Sequence, residues 1–336
     1  MDIDRLFDTA RERNRKQRVR KVVLPEGEDP RVLLAAARLA REELATPILL
    51  GEDHAVRKQA TAAGAKLDGA LIIDPRSDPR LPKYGAACAQ ARGSMTAAMG
   101  QRLVSKPLYF GGMMVREGDA DAMVAGAAHP TRRVIEAGLM TIGLAEGIAL
   151  PSSYFVMVVP DFLSGGPRAF IFADCAVQID PSAEELADIA ISSARTAAAL
   201  LDDEPRVAML SFSTKGSGQH EHVDKVRRAV VIARQRAPDV KLDGEFQADA
   251  AVVAAVAAKK VAEPSDVAGH ANVLVFPDLN SGNIGYKLTQ WLGGAKAFGP
   301  FLQGFAKPIS DLSRGASVDD VVATCVIALA TAPDAQ

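Results

Sequence analysis

Three cysteines in 336 residues, Cys88, Cys175 and Cys325, are widely spaced and odd in number. They leave no disulfide framework and no paired zinc spacing, and they fit reduced thiols serving as small core residues in a cytoplasmic protein. Neither sign of charge is in excess: 39 Lys and Arg stand against 41 Asp and Glu, a formal net charge of -2. The two signs are interleaved, so the chain carries no electrostatic footprint for nucleic acid or an anionic membrane. The exception is the basic run from Arg11 to Lys21, but Asp2, Asp4, Asp8 and Glu12 beside it are unusual in a mitochondrial transit peptide, and no apolar stretch resembles a signal peptide. This segment reads as a solvated first helix docked through Ile3, Leu6 and Phe7. Internal repeats, low-complexity linkers, a P-loop spacing and a Gly-rich dinucleotide fingerprint are all missing. His129 has no second ligand at helical or hairpin spacing, and no metal site is expected.

What is present suffices for two cores. The hydrophobic fraction is 48%, and the length suggests about two domains at roughly 150 residues each. Lys21 to Pro25, Pro47 to Leu50, Ala70 to Ile73 and Ala122 to Gly126 read as short apolar strands. Segments of helical periodicity such as Asp29 to Glu42 separate them, which predicts a parallel sheet covered on both faces. The pattern changes around Gly147 to Ser153. Tyr154 to Val159 and Ala169 to Ala173 flank the turn Leu163-Ser-Gly-Gly-Pro-Arg and predict an antiparallel hairpin that opens a second domain. A helix from the cap and early proline at Asp180-Pro-Ser to Leu201, a strand Val207 to Phe212, a helix Asp224 to Arg236 and a strand Asn272 to Phe276 follow.

The stretch from Asn272 to Asp320 carries the chemistry. Val273 to Phe276 suits a buried parallel strand, ended in a turn by Pro277, Asp278, Asn280, Gly282 and Asn283, with a helix opening after it. The carboxyl end of a strand is where open α/β sheets bind ligands, because unpaired N–H groups at the helix start favour an anion. Further on, in a polar loop, Asp311-Leu-Ser-Arg-Gly sets a fixed positive charge and a hydroxyl beside a flexible glycine. An arginine fork there suits a phosphoryl or carboxylate group. Ser317-Val-Asp-Asp then resembles a capping box before the last apolar run, so by local physics alone Asp320 reads as a cap.

These motifs resemble the phosphate acetyltransferases along nearly the whole chain. The matching segments are VVLPEGEDPRV (Val22 to Val32), YFGGMMVREGDADAMVAGAAH (Tyr109 to His129), FADCAV (Phe172 to Val177), RVAMLSFSTKGS (Arg206 to Ser217), LDGEFQADAA (Leu242 to Ala251), PDLNSGNIGYK and DLSRG. The resemblance implies two three-layer α/β/α domains with a cleft between them, as in isocitrate and isopropylmalate dehydrogenases. Residues 1–148 together with 299–336 would form a discontinuous first domain and 149–298 the second, in a cytoplasmic homodimer. It implies reversible transfer of an acetyl group between acetyl phosphate and coenzyme A, with coenzyme A a substrate and no tightly bound cofactor. Small molecules are the expected partners, with no nucleic acid and no membrane.

A free thiol, with a pKa near ~8.5, is mostly protonated at neutral pH, so a base beside it is useful. By position relative to DLSRG the family's catalytic aspartate falls on Asp320, while Arg314 and Ser313 would stabilise charge at the carbonyl oxygen and the departing phosphate. Capping and catalysis are compatible, because a carboxylate at a helix start can also face a ligand. The resemblance further places His129, Thr131, Arg132, Arg133, Ser213, Thr214, Lys215, Gly216, Asn280, Asn283, Tyr286 and Lys287 among the substrate contacts. Read locally, Ser213 to Ser217 is a polar turn, Asn283 a turn former, Lys287 a solvated helix residue. His220 and His222 read as a solvated loop before a helix.

The sequence departs from the family at two positions, Ala89 and Glu136, where relatives carry anion-binding arginines. Arg92, Arg132 and Arg133 lie close by and are the candidates to replace them. Propionyl or butyryl transfer is the nearest alternative activity. A non-catalytic acyl-CoA-sensing module is a second, disfavoured by retention of Ser313, Arg314 and Asp320. A metal-dependent decarboxylating dehydrogenase is a third, disfavoured because Asp319 and Asp320 are adjacent rather than spaced along one helical face.

Overall fold

The structure, a computed structural model, describes residues 3–93 and 95–333, with the side chains of residues 3–6 and 13 outside the description. The chain parts into two compact units: an inserted unit from Glu146 to Gly304, and a split unit that joins the chain up to Ala145 to the chain from Phe305.

The split unit is built on five parallel strands, β1 (Lys21–Leu24), β2 (Thr46–Leu50), β3 (Leu71–Ile73), β4 (Ala122–Ala125) and β11 (Ile309–Asp311), in the order β11-β4-β1-β2-β3. Every residue of β4 and β11 is buried, as expected of parallel strands covered by helices on both faces. Helix α2 (Pro30–Arg41) starts where the Asp29 carboxylate accepts the Arg31 N–H and Pro30 fills the first helical position. That is a favourable N-terminus. Its buried side chains Val32, Leu33, Ala36 and Leu39 recur at helical spacing, and it packs with α13 (Val318–Ala330) on β2, β1 and β4. Helices α6 (Pro107–Glu117) and α7 (Thr131–Thr141) pair with each other, α6 on β1 and β4 and α7 on β11, with α4 (Leu81–Arg92) and α5 (Ala97–Val104) stacked beside them. Helix α1 (Ile3–Lys16) meets α13. Of the three apolar residues expected to dock it, Phe7 is buried, and Ile3 and Leu6 lie outside the described side chains. Helix α3 (Asp53–Ala63) packs on α2 and β3.

The inserted unit has six strands, β5 (Ser152–Val159), β6 (Arg168–Ala173), β7 (Arg206–Leu210), β8 (Lys241–Phe246), β9 (Val273–Val275) and β10 (Lys296–Gln303), in the order β10-β5-β6-β9-β7-β8. The expected hairpin is there, with β5 antiparallel to β6, and β10 pairs antiparallel on its other side. The remaining pairs are parallel. Helices α8 (Ala183–Leu200) and α9 (Glu221–Arg236) pack together against this sheet, and α10 (Ala248–Val252), α11 (Ala254–Lys260) and α12 (Leu279–Trp291) complete the unit. An aromatic core of Phe155, Phe170, Phe172 and Phe246 holds it.

Several boundaries differ from the sequence expectation, each for a local reason. Helix α8 is capped by Ser182, not Asp180: Ser182 and Glu185 form a full capping box, which outcompetes an aspartate placed before a proline. Strand β7 stops at Leu210, and Phe212 is 61% exposed. Helix α9 starts three residues earlier than Asp224, because the His220 ring accepts the His222 N–H as its cap, so these histidines are an N-terminus rather than a plain loop. The turn after β9 is shorter than expected. Asp278 caps α12 through the Ser281 N–H, so Asn280, Gly282 and Asn283 are helical. The segment read as a polar loop before the last helix contains β11, whose three residues are all buried.

Candidate active site

At the carboxyl end of β4 the chain turns through residues 126–129, and one carboxylate organises the turn. Glu26, 7% exposed, follows β1. It accepts the backbone N–H groups of Gly126 (2.9 Å), Ala127 (2.7 Å), Ala128 (2.8 Å) and His129 (2.8 Å). Its Oε1 also accepts Nδ1 of the His129 ring at 2.7 Å. This fixes the ring's tautomer, because a nitrogen facing a carboxylate must carry the proton. The ring is 43% exposed and borders a pocket of about 210 Å³ with Lys106, Tyr109 and Arg133.

A second residue after β1 ties this turn to the Ser313-Arg-Gly loop. The Arg31 guanidinium, held by both oxygens of Asp29, donates to the Ala127 carbonyl at 2.8 Å and to the carbonyls of Arg314 (2.7 Å) and Ala316 (3.2 Å). Thr131 reaches the same loop, its hydroxyl donating to Asp311 Oδ2, and the Leu312 N–H donates to the Ala125 carbonyl. His129, Thr131, Ser313 and Arg314, far apart in sequence, are thereby laced to one edge of the split unit's sheet. Arg314 is exposed, and its guanidinium makes no hydrogen bond or ion pair with a described residue. Ser313 Oγ accepts the Gly315 N–H at 3.3 Å and shapes the turn.

Asp320 does what its local sequence says. Its Oδ2 accepts the Ser317 N–H (2.9 Å) and hydroxyl (2.8 Å), the reciprocal half of the capping box that begins α13. Oδ1 has no partner among the described residues, so the exposed carboxylate has one oxygen that the cap does not use. The neighbouring Asp319 pairs instead with Arg38 at 2.5 Å. Beneath the loop, Asp311 is 3% exposed and its Oδ1 is without a hydrogen-bond partner among the described residues. Burial pushes its carboxyl up to about 6, with the nearby Glu26 adding to the rise against the Thr131 hydrogen bond.

The two departures from the family pattern have distinct surroundings. Ala89 is buried in α4, and Arg92 on the next turn donates to the Met140 carbonyl at 3.4 Å. Glu136 pairs with Arg133 at 2.8 Å and accepts the Tyr109 hydroxyl at 3.2 Å, contacts that hold its carboxyl below the usual range. Arg133, one candidate replacement cation, is therefore half neutralised by the residue it was to compensate. Arg132, exposed on the first turn of α7, has no ion-pair partner within 4 Å among the described residues.

The remaining expected residues belong to the inserted unit, where most are occupied locally. Ser213 is fully buried, its hydroxyl donating to Glu245 at 2.8 Å. Thr214 accepts the Gln247 N–H at 2.9 Å. Lys215 has a positive φ of 44° and donates to Asp243 Oδ1 (2.6 Å) and the Gly244 carbonyl (2.9 Å). The Gly216 N–H donates to Glu245 at 2.8 Å. Burial would raise Asp243 and Glu245, but Lys215 and Ser265 on the one, and Arg227 and the Gly216 N–H on the other, hold both below the usual range. Asn280 is exposed and lines a pocket of about 520 Å³ at the carboxyl ends of β7 and β9, with Ser211, Phe212, Lys225 and Phe276. Asn283 donates to the Cys175 carbonyl at 3.1 Å, Tyr286 stacks on Phe155 at 4.1 Å, and the Lys287 ammonium sits 5.0 Å from the Tyr286 ring.

Sequence reasoning missed Glu26, Asp29 and Arg31 as site residues. The signal was present, since all three fall inside VVLPEGEDPRV, but nothing local shows that a glutamate after one strand closes the turn after another.

The family profile described as phosphate acetyl/butaryl transferase matches residues 3–329. A phosphate acetyltransferase of Clostridium acetobutylicum is 46% identical over 319 residues, covering 94% of this chain and 96% of its own. The crystal structure of a phosphotransacetylase from Streptococcus pyogenes aligns with a TM-score of 0.89 at 44% identity, covering 98% of both chains. A protein from Salmonella typhimurium assigned as a 4-hydroxythreonine-4-phosphate dehydrogenase shares the fold alone, at 13% identity and a TM-score of 0.56 over 94% of this chain and all of its own. A profile match over nearly the whole length, and relatives that agree with it end to end, establish that this chain is a transferase of the phosphate acetyl/butaryl transferase family.

Proposed function

We propose that the chain transfers an acetyl group reversibly between acetyl phosphate and coenzyme A, with coenzyme A entering as substrate and no tightly bound cofactor. One observation carries the reading. The unpaired Arg314 guanidinium stands on a loop fixed by Arg31, six residues ahead of a carboxylate with one free oxygen, Asp320 Oδ1. Asp320 takes the thiol proton as sulfur attacks the acetyl carbonyl, and Arg314 with Ser313 stabilises charge on the carbonyl oxygen and the departing phosphate. No acyl-enzyme is needed, so catalysis rests on positioning two substrates and on fixed charge. His129, Thr131 and Arg132 meet the substrates on the same edge. The inserted unit, taken by itself, offers Asn280 at its own pocket as a substrate contact, and Ser213, Thr214, Lys215 and Gly216 give their loop its shape.

We also infer a homodimer in the cytoplasm. Ile284, Leu288, Trp291 and Leu292 are all more than half exposed and recur at i, i+4, i+7 and i+8 along α12, a stripe that a second copy would cover. The three cysteines are buried free thiols, as suits a reducing compartment.

The test is acyl-CoA formation from coenzyme A with acetyl, propionyl and butyryl phosphate in turn. Acetyl phosphate is expected to be preferred, and Arg314→Ala to lower turnover by orders of magnitude. Because Asp320→Ala also removes a cap, Asp320→Asn is the sharper variant. Loss of about 10²-fold or more is expected of a missing base, whereas wild-type turnover in Asp320→Asn would leave the carboxylate a cap only.

A further inference from the structure

Glu26 has no place in the mechanism above, yet it is among the most heavily hydrogen-bonded side chains of the split unit. Four backbone N–H groups and one ring nitrogen converge on its two oxygens at 2.7–2.9 Å. Closing a turn accounts for the four N–H groups. It does not account for the fifth contact, which orients an imidazole whose other nitrogen, Nε2, has no partner among the described residues and whose ring borders a pocket.

A carboxylate on Nδ1 does two things to a histidine. It fixes the proton on that nitrogen, leaving Nε2 to face the ligand, and it favours the doubly protonated ring when Nε2 takes up a proton. The reaction has a use for such a ring. Acetyl phosphate dianion and a thiol become a thioester and hydrogen phosphate: the carbon–sulfur bond forms, the carbon–oxygen bond to phosphate breaks, and the thiol proton ends on phosphate. Asp320 accounts for the proton's departure from sulfur but not for its arrival on phosphate.

We propose, resting on the acyltransferase reading, that His129 Nε2–H delivers the proton to the departing phosphate oxygen and that Glu26 is the positioning residue that holds His129 for this step. The imidazole is reprotonated through solvent as Asp320 releases the thiol proton, and in the reverse direction each transfer runs backwards. Arg31 gives the arrangement its register, since its guanidinium joins the Ala127 carbonyl to the Arg314 carbonyl. The proton donor and the phosphate-binding arginine are therefore set against each other by one side chain.

The titratable and charged groups around the ring are Glu26 behind it, Lys106, Tyr109 and Arg133 at the pocket, and, one contact further, Arg31 and Asp311. Turnover and its pH profile are measured for the wild type, His129→Gln, Glu26→Gln and the double variant. His129→Gln, at a half-exposed ring, is expected to fold normally and to lose about 10²-fold in kcat with a smaller change in KM. Glu26→Gln lowers kcat while His129 is present and adds little further loss once His129 is absent, as expected of a residue that acts through the imidazole. In His129→Gly, added imidazole restores part of the turnover. If wild type turns over acetyl phosphate while His129→Gln keeps its kcat, or the two losses multiply independently, the proposal is overturned and the acyltransferase reading stands. If wild type makes no acyl-CoA from any of the three acyl phosphates, the underlying reading has failed instead.

Discussion

Among single residues Asp311 makes the most definite statement about pH. Its carboxyl is pushed up to about 6 by burial, against an ordinary value near ~3.9. The folded state therefore holds a proton that the unfolded chain has already released, and stability falls as pH rises from 4 towards 7 on this group's account. The whole effect is roughly 2–3 kcal/mol. Asp311→Asn should remove it: denaturant unfolding of the two proteins at pH 4 and pH 7 is expected to show the variant gaining that amount relative to wild type over the interval. A constant difference would mean that Asp311 is ionised throughout. At this scale Ser313, Arg314 and His129 stand out in short, specific words, and the structure laces them to one edge of the split unit's sheet. Residues acting across the sheet were not legible. Glu26 and Arg31 stand about a hundred and three hundred positions from their partners, and Lys215, a plausible phosphate contact by type, is turned inward onto Asp243.

Elements were legible wherever periodicity was strong. Strands β1 to β4 of the split unit, the β5–β6 hairpin and α2 all fall within a residue or two of expectation, whereas β11, in a segment rich in polar residues, was not legible as a strand. Starts of helices were harder, because competing caps a residue or two apart differ by less than local reading resolves. Helix α12 is the instructive case. Gly282 reads from the sequence as part of the turn that ends β9, but it lies in the helix, where a Cβ would come within 2.1 Å of the Asp174 carbonyl oxygen. Its glycine is about close approach. Gly282→Ala must therefore push the helix start off the 174–175 loop, and a loss of about 3 kcal/mol is expected in chemical denaturation, the upper end for overpacking. Ser182→Ala, which removes only the capping box of α8, should lose about 1 kcal/mol. Equal losses would mean that α12 yields cheaply at its first turn.

For the molecule as a whole, Trp291 offers a direct reading of association, since it is the chain's only tryptophan and is 79% exposed in the isolated subunit. Trp291→Asp should convert a dimer to a monomer in sedimentation, and wild-type emission should shift to the red on dilution. Emission already red and indifferent to concentration would leave α12 uncovered. The sheet order of the split unit has another consequence, one of timing. Strand β4, apolar and buried along its length, lies between β1 and β11, and β11 is made only after the whole inserted unit. Until residue 311 emerges from the ribosome, β4 is an open edge of the kind that recruits other chains, and the loop bearing Arg314 does not yet exist. A nascent chain can thus complete the inserted unit early but cannot seal its other sheet before residues 309–311 are added. Interrupted synthesis would leave a sticky, inert fragment, and chains stalled before residue 305 are expected to aggregate or be degraded rather than persist as partial enzymes.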